Sequence, residues 1–194
     1  MNVVLCSGGI DSATILWALT PARSVALSVD YGQKAAESER RATSALASRK
    51  GMEHLHLAVP LIGAQLRSSL TDAGSVQVPQ ETVVPGRNAL LISLAVGIAA
   101  SRGLTQVLIG CNATDADVYP DCRRGFISGL DAAYRAAYGV AVQAPLLDLS
   151  KVEVVQLARQ AGLPINETTS CYLGSACGSC HACVGRRKAL EDAP

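Results

Sequence analysis

Apolar residues fall in short unbroken runs, separated by longer stretches in which polar and apolar positions recur at helical spacing. Val3-Val4-Leu5-Cys6 reads as a buried strand and Ala13 to Leu19 as a helix opening, with the glycine turn Ser7-Gly8-Gly9-Ile10-Asp11-Ser12 between them. Ser24 to Asp30 is a second strand. Tyr31-Gly32-Gln33 turns into a polar helix through Glu37, Glu39, Arg40 and Arg41 to about Arg49. His54 to Val59 alternates as a third strand ending at Pro60, with His54 and His56 as strand residues. Ser68 to Pro85 has turn residues and no period, and reads as a loop. Asn88 to Ala100 is an apolar helix, Gln106 to Gly110 a buried strand, Gly125 to Tyr138 helical and Val142 to Leu147 extended. Tyr134 and Tyr138, four apart, are expected to pack. Asp148-Leu149-Ser150 is placed to cap a helix over Lys151 to Ala161, with Gly162 as its stop. Strands alternating with helices at this spacing predict an α/β fold, a parallel sheet with helices on both faces.

Composition narrows the classes. At 194 residues the chain suits one domain with a sizeable core and a small appendage, filled by aliphatic side chains since aromatics are 4%. A net charge of +1, with no basic run beyond three residues, argues against direct nucleic-acid binding through phosphate contacts. No secretion signal is expected. The apolar stretch from Ala89 to Ala100 is too short and interrupted to span a bilayer, so no membrane association is expected. Seven cysteines preclude a complete internal disulfide framework and fit a reducing, cytoplasmic setting.

Candidate chemistry sits at three places. A glycine turn between a strand and a helix aims free N–H groups and partial positive charge at a phosphate. Ser7 and Ser12 add hydroxyl donors, and Asp11 suits a magnesium ion or a ligand amine. No lysine follows the glycines, which excludes the common Gly-x-x-x-x-Gly-Lys loop. Arg87 and Asn88 at a helix start suit phosphate or the edge of a heterocycle, with capping as the plainer role. Asn112, Asp115, Tyr119, Asp121 and Arg123 follow the strand ending at Gly110, where ligands of open α/β sheets bind, although a solvated loop explains the segment alone equally well.

Cys171, Cys177, Cys180 and Cys183 are spaced to close a tetrahedral structural zinc site. Their charge would be offset by Arg186, Arg187 or Lys188. An iron–sulfur cluster or redox-active thiols remain alternatives on spacing alone.

Together these residues resemble a known family. Ser7 to Ser12, Tyr31-Gly32-Gln33, Pro85 to Asn88, Thr114-Asp115, Tyr119-Pro120-Asp121-Cys122-Arg123, Lys151-x-Glu153, Ser170-Cys171-Tyr172 and Cys177 to Cys183 occur in the order found in 7-cyano-7-deazaguanine (preQ0) synthases of the ATP-pyrophosphatase superfamily. The glycine turn is shared across the superfamily; Tyr-Pro-Asp-Cys-Arg joined to this cysteine spacing is much more specific. The resemblance implies a Rossmann-like (adenine nucleotide alpha hydrolase-like) domain over 1–163 and a small zinc-binding segment over 164–194. It implies homodimers and a reaction of 7-carboxy-7-deazaguanine, ammonia and two ATP with magnesium, releasing AMP and pyrophosphate. Cys6, Ser7, Gly8, Gly9, Ile10, Asp11, Ser12, Asp30, Tyr31, Gln33, Arg87, Asn88 and Gly110 would hold the nucleotide. Asp11, Arg87, Lys151 and Asp121 would serve catalysis, and Asn112, Asp115, Tyr119, Asp121 and Arg123 would recognise the deazaguanine.

The chain departs from the family pattern at Ala35, where a histidine is usual, and at Asp117-Val118, where Ser-Gly is usual. Two other readings compete. One keeps the ATP chemistry but passes the activated carboxylate to an amine on a protein or small molecule, stopping at an amide. The other is a non-catalytic nucleotide- or RNA-binding module, against which the near-neutral charge and scarce aromatics weigh.

Overall fold

Five parallel strands form one sheet in the order β3-β2-β1-β4-β5 in a computed structural model that describes residues 1–72 and 74–193. The strands are β1 (Asn2–Leu5), β2 (Val25–Asp30), β3 (Glu53–Ala58), β4 (Gln106–Leu108) and β5 (Ala141–Gln143). The helices are α1 (Ile10–Ala18), α2 (Ala36–Arg49), α3 (Leu61–Gln65), α4 (Arg87–Ser101), α5 (Arg124–Tyr138), α6 (Lys151–Gln160) and α7 (His181–Asp192).

Alternation along the central strands explains why helices cover both faces. Val4, Ala26 and Leu108 pack with Ile10, Ala13 and Leu16 of α1, Leu46 of α2, Val154 and Val155 of α6 and Ala189 of α7. Their neighbours Val3, Leu5, Val25, Leu27 and Val107 turn to the opposite face, against Ile92, Ala95, Val96 and Ala99 of α4 and Ile127 of α5. Each such side chain removed from water contributes about 1.5–3 kcal/mol, so a strand buried on both sides reads as a continuous apolar run.

The chain winds outward from β1 through β2 to β3, then returns across α3 and α4 to place β4 on the other side of β1. Winding therefore reverses between β1 and β4, which leaves a crevice beyond their carboxyl ends. At its floor the two strands' exits nearly touch: a Cβ on Gly110 would lie 3.0 Å from the backbone nitrogen of Ser12.

The expected α/β architecture is what the chain adopts, with local differences. The extended segment ends at Gln143, because Pro145 lacks an N–H for the ladder and turns form from Leu147 to Ala144 and from Leu149 to Leu146. Helices α3 and α7 were not anticipated. Tyr134 and Tyr138 stack with ring centroids 6.4 Å apart, yet Tyr138 stays 63% exposed. Residues Pro79–Ser101 are long and apolar enough on composition to cross a membrane. Val83 to Gly86 break that stretch, and α4 spends its apolar face on the sheet.

Candidate active site

A cavity of about 260 Å³ opens at the reversal point. Its lining gathers Cys6, Ser7, Gly9, Asp11, Ser12, Tyr31, Gln33, Arg87, Asn88, Gly110, Asp115 and Tyr119 from the sequence-derived set, drawn from β1, α1, the β2 exit, α4 and the β4 exit.

The glycine turn forms one wall. Gly9 precedes α1 in extended conformation without a side-chain cap, so the first-turn N–H groups have no intrahelical acceptor and face the crevice. Ser12 Oγ accepts from the Ser7 N–H at 3.2 Å and donates to the Gly9 carbonyl at 3.3 Å, which holds the turn in shape. Gly8 has φ +69°, and a Cβ there would lie 2.5 Å from that of Ala42. Burial pushes the Cys6 thiol up, so it sits beside the turn as a neutral group.

The opposite wall depends on α4, whose N-cap Gly86 offers no side chain. Asp121 supplies the cap from a distant turn: its Oδ2 accepts from the Asn88 N–H at 3.1 Å, while Asn88 Nδ2 donates to the Asp121 carbonyl and to Cys122 Sγ, both at 3.3 Å. The Arg87 guanidinium lies 5.6 Å from the centroid of the Tyr119 ring. Burial works against its charge, but Tyr31, Asp121 and Cys122 outweigh it and hold Arg87 cationic. The Tyr119 hydroxyl is fixed between Thr82 Oγ1 at 2.7 Å and the Tyr172 hydroxyl at 3.0 Å.

Carboxylates converge between the walls. Asp11 pairs with Lys151 and accepts from Asn112 Nδ2 at 3.4 Å. Lys151 is delivered by α6, where the expected cap takes the form of a capping box between Ser150 and Glu153. Asp115 Oδ2 accepts from the Asn112 N–H at 2.9 Å. Burial and the nearby Asp11 charge push Asp115 up to about 6.

Asp30, Asn112, Asp121, Arg123 and Lys151 stand outside the lining itself. Asp30 Oδ1 accepts from the Gly32 N–H at 2.8 Å and shapes the turn after β2. Arg123 is exposed and donates to the Ala116 carbonyl. Ile10 is fully buried in the core rather than facing the crevice.

Four lining residues with polar or thiol side chains had no role in the sequence reading: Glu39, Cys111, Cys122 and Tyr172. Glu39 was legible as a charged residue three and four positions before Ala42 and Thr43 on the buried stripe of α2. Cys111 and Cys122 share a hydrogen bond that, with burial, holds the Cys111 thiol protonated.

Beside this cavity the sulfur atoms of Cys171, Cys177, Cys180 and Cys183 lie within 4.8 Å of one another. Zinc–sulfur bonds of about 2.3 Å require tetrahedral sulfur separations near ~3.8 Å, so the donor set fits a metal ion. Backbone N–H groups of Cys177, Cys180 and Cys183 point at the sulfurs of Cys171, Cys177 and Cys180, each at 3.4 Å. Donors from Ser179 and Cys180 draw the Cys177 thiol down to about 6, which favours the thiolate a metal needs. Arg186 lies close enough to Cys183 for their charges to interact, and it donates to Thr168 Oγ1 at 2.6 Å and the Ile165 carbonyl at 2.7 Å, while Arg187 donates to the Gly178 carbonyl at 3.3 Å.

Known proteins resemble this chain in sequence or in fold. A 7-cyano-7-deazaguanine synthase of Porphyromonas gingivalis is 36% identical over 205 residues, covering 99% of this chain and 93% of its own. 7-Cyano-7-deazaguanine synthase 2 of Desulfitobacterium hafniense is 38% identical, covering 98% of this chain and 88% of its own. Two solved structures share the fold alone. They are the U34-tRNA thiolase NcsA from Methanococcus maripaludis with its [4Fe-4S] cluster (TM-score 0.58, 16% identity, 100% of this chain and 73% of that one) and NMN synthetase from Francisella tularensis (TM-score 0.54, 20% identity, 86% and 63%). The family model for "Queuosine biosynthesis protein QueC" matches residues 1–194, and the chain belongs to that family.

Proposed function

We propose that this protein converts 7-carboxy-7-deazaguanine and ammonia to 7-cyano-7-deazaguanine at the expense of ATP, releasing AMP and pyrophosphate. The match of the family over the whole chain carries this reading. The cavity supports it, with phosphate donors on one wall and a cation, a phenol and carboxylates on the other.

The chemistry explains why such a wall is needed. A carboxylate resists attack because an oxide would have to leave; bonding one oxygen to AMP supplies a leaving group. Ammonia then gives the amide, and activation of the amide oxygen permits its elimination to the nitrile. The N–H groups of the glycine turn with Ser7 and Ser12 would hold pyrophosphate. Arg87 and Lys151 would offset charge growing at the α-phosphate. Cys6, Asp30, Tyr31, Gln33, Asn88 and Gly110 would frame the nucleotide, and Asp11 or Asp115 would position magnesium. Asn112, Asp115, Tyr119, Asp121 and Arg123 would recognise the deazaguanine.

Zinc is the metal assigned to the four cysteines, since sulfurs gathered this closely suit one ion and a four-iron cube spreads its thiolates more widely. Its role is structural: it closes the segment 164–194 beside the ATP-pyrophosphatase body 1–163. The enzyme is further proposed to be cytoplasmic and homodimeric.

Incubation with ATP, magnesium, ammonium and the carboxy-deazaguanine, followed by mass spectrometry, tests the proposal. The nitrile supports it. An amide as end product, or no pyrophosphate dependent on the acid, overturns it.

A further inference from the structure

We propose that Glu39 is the general base that takes a proton from the ammonia nitrogen as the carbon–nitrogen bond forms, an inference that rests on the activity proposed above. The nitrogen must shed hydrogens on its way to a nitrile, so the site needs an acceptor beside the acyl carbon. Glu39 lines the cavity from α2, and its backbone carbonyl lies 3.2 Å from where a Cβ on Gly8 would stand, which sets it against the phosphate-holding turn.

The other carboxylates near the cavity hold backbone or an ion pair in place. Asp11 is paired with Lys151, Asp115 holds the Asn112 N–H, and Asp121 caps α4. The Glu39 carboxylate has one hydrogen-bond partner among the described residues, Gln33 Nε2 at 2.9 Å. Gln33 is itself fixed, since its Oε1 accepts from the Tyr31 N–H at 2.9 Å and its Nε2 also donates to the Val29 carbonyl at 3.0 Å. Glu39 is thus oriented, with acceptor capacity left over, beside the apolar wall of Leu27, Val29, Leu70 and Leu91.

Charged and titratable groups face it from every side: Asp30 and Tyr31 at the β2 exit, Arg87 from α4, and Cys6 at the end of β1. Burial and Asp30 raise Glu39 to about 7, against the opposing influence of Gln33 and Arg87. A base that titrates near the working pH can both accept and return a proton.

The step balances. The ammonia lone pair forms the C–N bond, the bond from carbon to the AMP oxygen breaks, and AMP leaves with that electron pair. One N–H proton passes to the Glu39 carboxylate, giving neutral amide, AMP and protonated Glu39, which returns the proton to solvent.

Glu39→Gln and Glu39→Asp test it against two readouts. Exchange of labelled pyrophosphate into ATP, dependent on the carboxy-deazaguanine, reads adenylation alone; single-turnover amide formation with ammonium reads the nitrogen step. With Glu39→Gln the exchange persists while amide formation, expressed per free NH3 at each pH, falls about 10²-fold or more, and the acid limb of that corrected profile near neutrality flattens. Glu39→Asp recovers part of the rate. The proposal is overturned if exchange and amide formation fall together, if amide formation is unchanged, or if the acid limb survives. Wild-type protein that shows no acid-dependent exchange would instead overturn the activity on which this inference rests.

Discussion

The backbone N–H of Thr169 donates to the carbonyl oxygen of Gly8 at 2.8 Å. This bond joins the segment that carries the cysteines to the turn proposed to hold pyrophosphate. Two further links run the same way: the Tyr172 hydroxyl beside Cys171 meets the Tyr119 hydroxyl, and the His181 N–H donates to the Val76 carbonyl at 3.0 Å. The metal-binding tail therefore braces the cavity that it does not itself line, Tyr172 excepted.

Removing the metal should consequently weaken ATP binding. Chelation, or Cys180→Ser, is expected to leave the sheet folded while raising the ATP dissociation constant by about tenfold, a cost of about 1.4 kcal/mol. Calorimetric titration of the metal-free protein, with circular dichroism to verify the fold, measures this. Unchanged ATP affinity would show that the Thr169–Gly8 bond survives without the metal.

Arg87 should matter for rate far more than for folding. Arg87→Ala removes the cation facing Tyr119 and is expected to cut AMP formation by about 10²–10³-fold, as loss of a charge-stabilising group does. Asp11→Ala should abolish it too, because Lys151 loses its partner in the crevice. Metal content should be unchanged in both. Turnover at the wild-type rate would remove these residues from the mechanism.

Stability should fall as pH rises from about 4 towards about 7. Glu39 is raised to about 7 and Asp115 to about 6, whereas unfolded carboxyls titrate near about 4. The folded chain thus holds protons that the unfolded chain has already released, and stability drops from about pH 4 upward until both groups ionise near pH 7. Glu39→Gln should therefore melt at a higher temperature than wild type above this window. Below about pH 4, where both forms are neutral, the advantage should vanish. Differential scanning calorimetry across pH measures the difference; an equal gain at both ends would mean that charge burial is not its source.

Gly8→Ala carries two separable costs. Its φ of +69° is left-handed, which costs an L-residue about 1–2 kcal/mol. The new methyl would lie 2.5 Å from the Ala42 Cβ, and such overpacking costs about 1–3 kcal/mol. Adding Ala42→Gly should recover the second share and leave the first, once the cost of about 1 kcal/mol for a glycine inside α2 is subtracted using Ala42→Gly alone, as read by chemical denaturation of the three variants. Full recovery would show that backbone conformation is not limiting.

Much of the site was legible because its signals are local. The strand, glycine turn and helix over Val3 to Leu19 follow from adjacent residue types, as does the cysteine spacing from Cys171 to Cys183. The capping segment ending at Ser150 announces the start of α6, and that start delivers Lys151. The short reach of β5 was less legible, since Val142 to Leu147 is apolar enough to extend and only Pro145 marks the break. Helix α7 was obscured because its first residues belong to the cysteine motif and its apolar positions are few.

What the chain alone determined is the alternation of buried strands with helices, the two faces of each strand and the groups able to bind phosphate or metal. These depend on neighbours within a few residues, where hydrophobic period and turn stereochemistry act. Only the tertiary structure decided that β1 lies beside β4. That adjacency, with the packing of α2 on β2 and β3, brings Asp11 to Lys151, turns Glu39 into the cavity and puts the Asp121 carboxylate over the N-terminus of α4, while the chain after α6 sets Thr169 against Gly8. The partners in these contacts are far apart in the chain or on separate elements, and no local rule specifies their meeting. They meet because burying both faces of a parallel sheet forces its winding to reverse, and the crevice opens where it does.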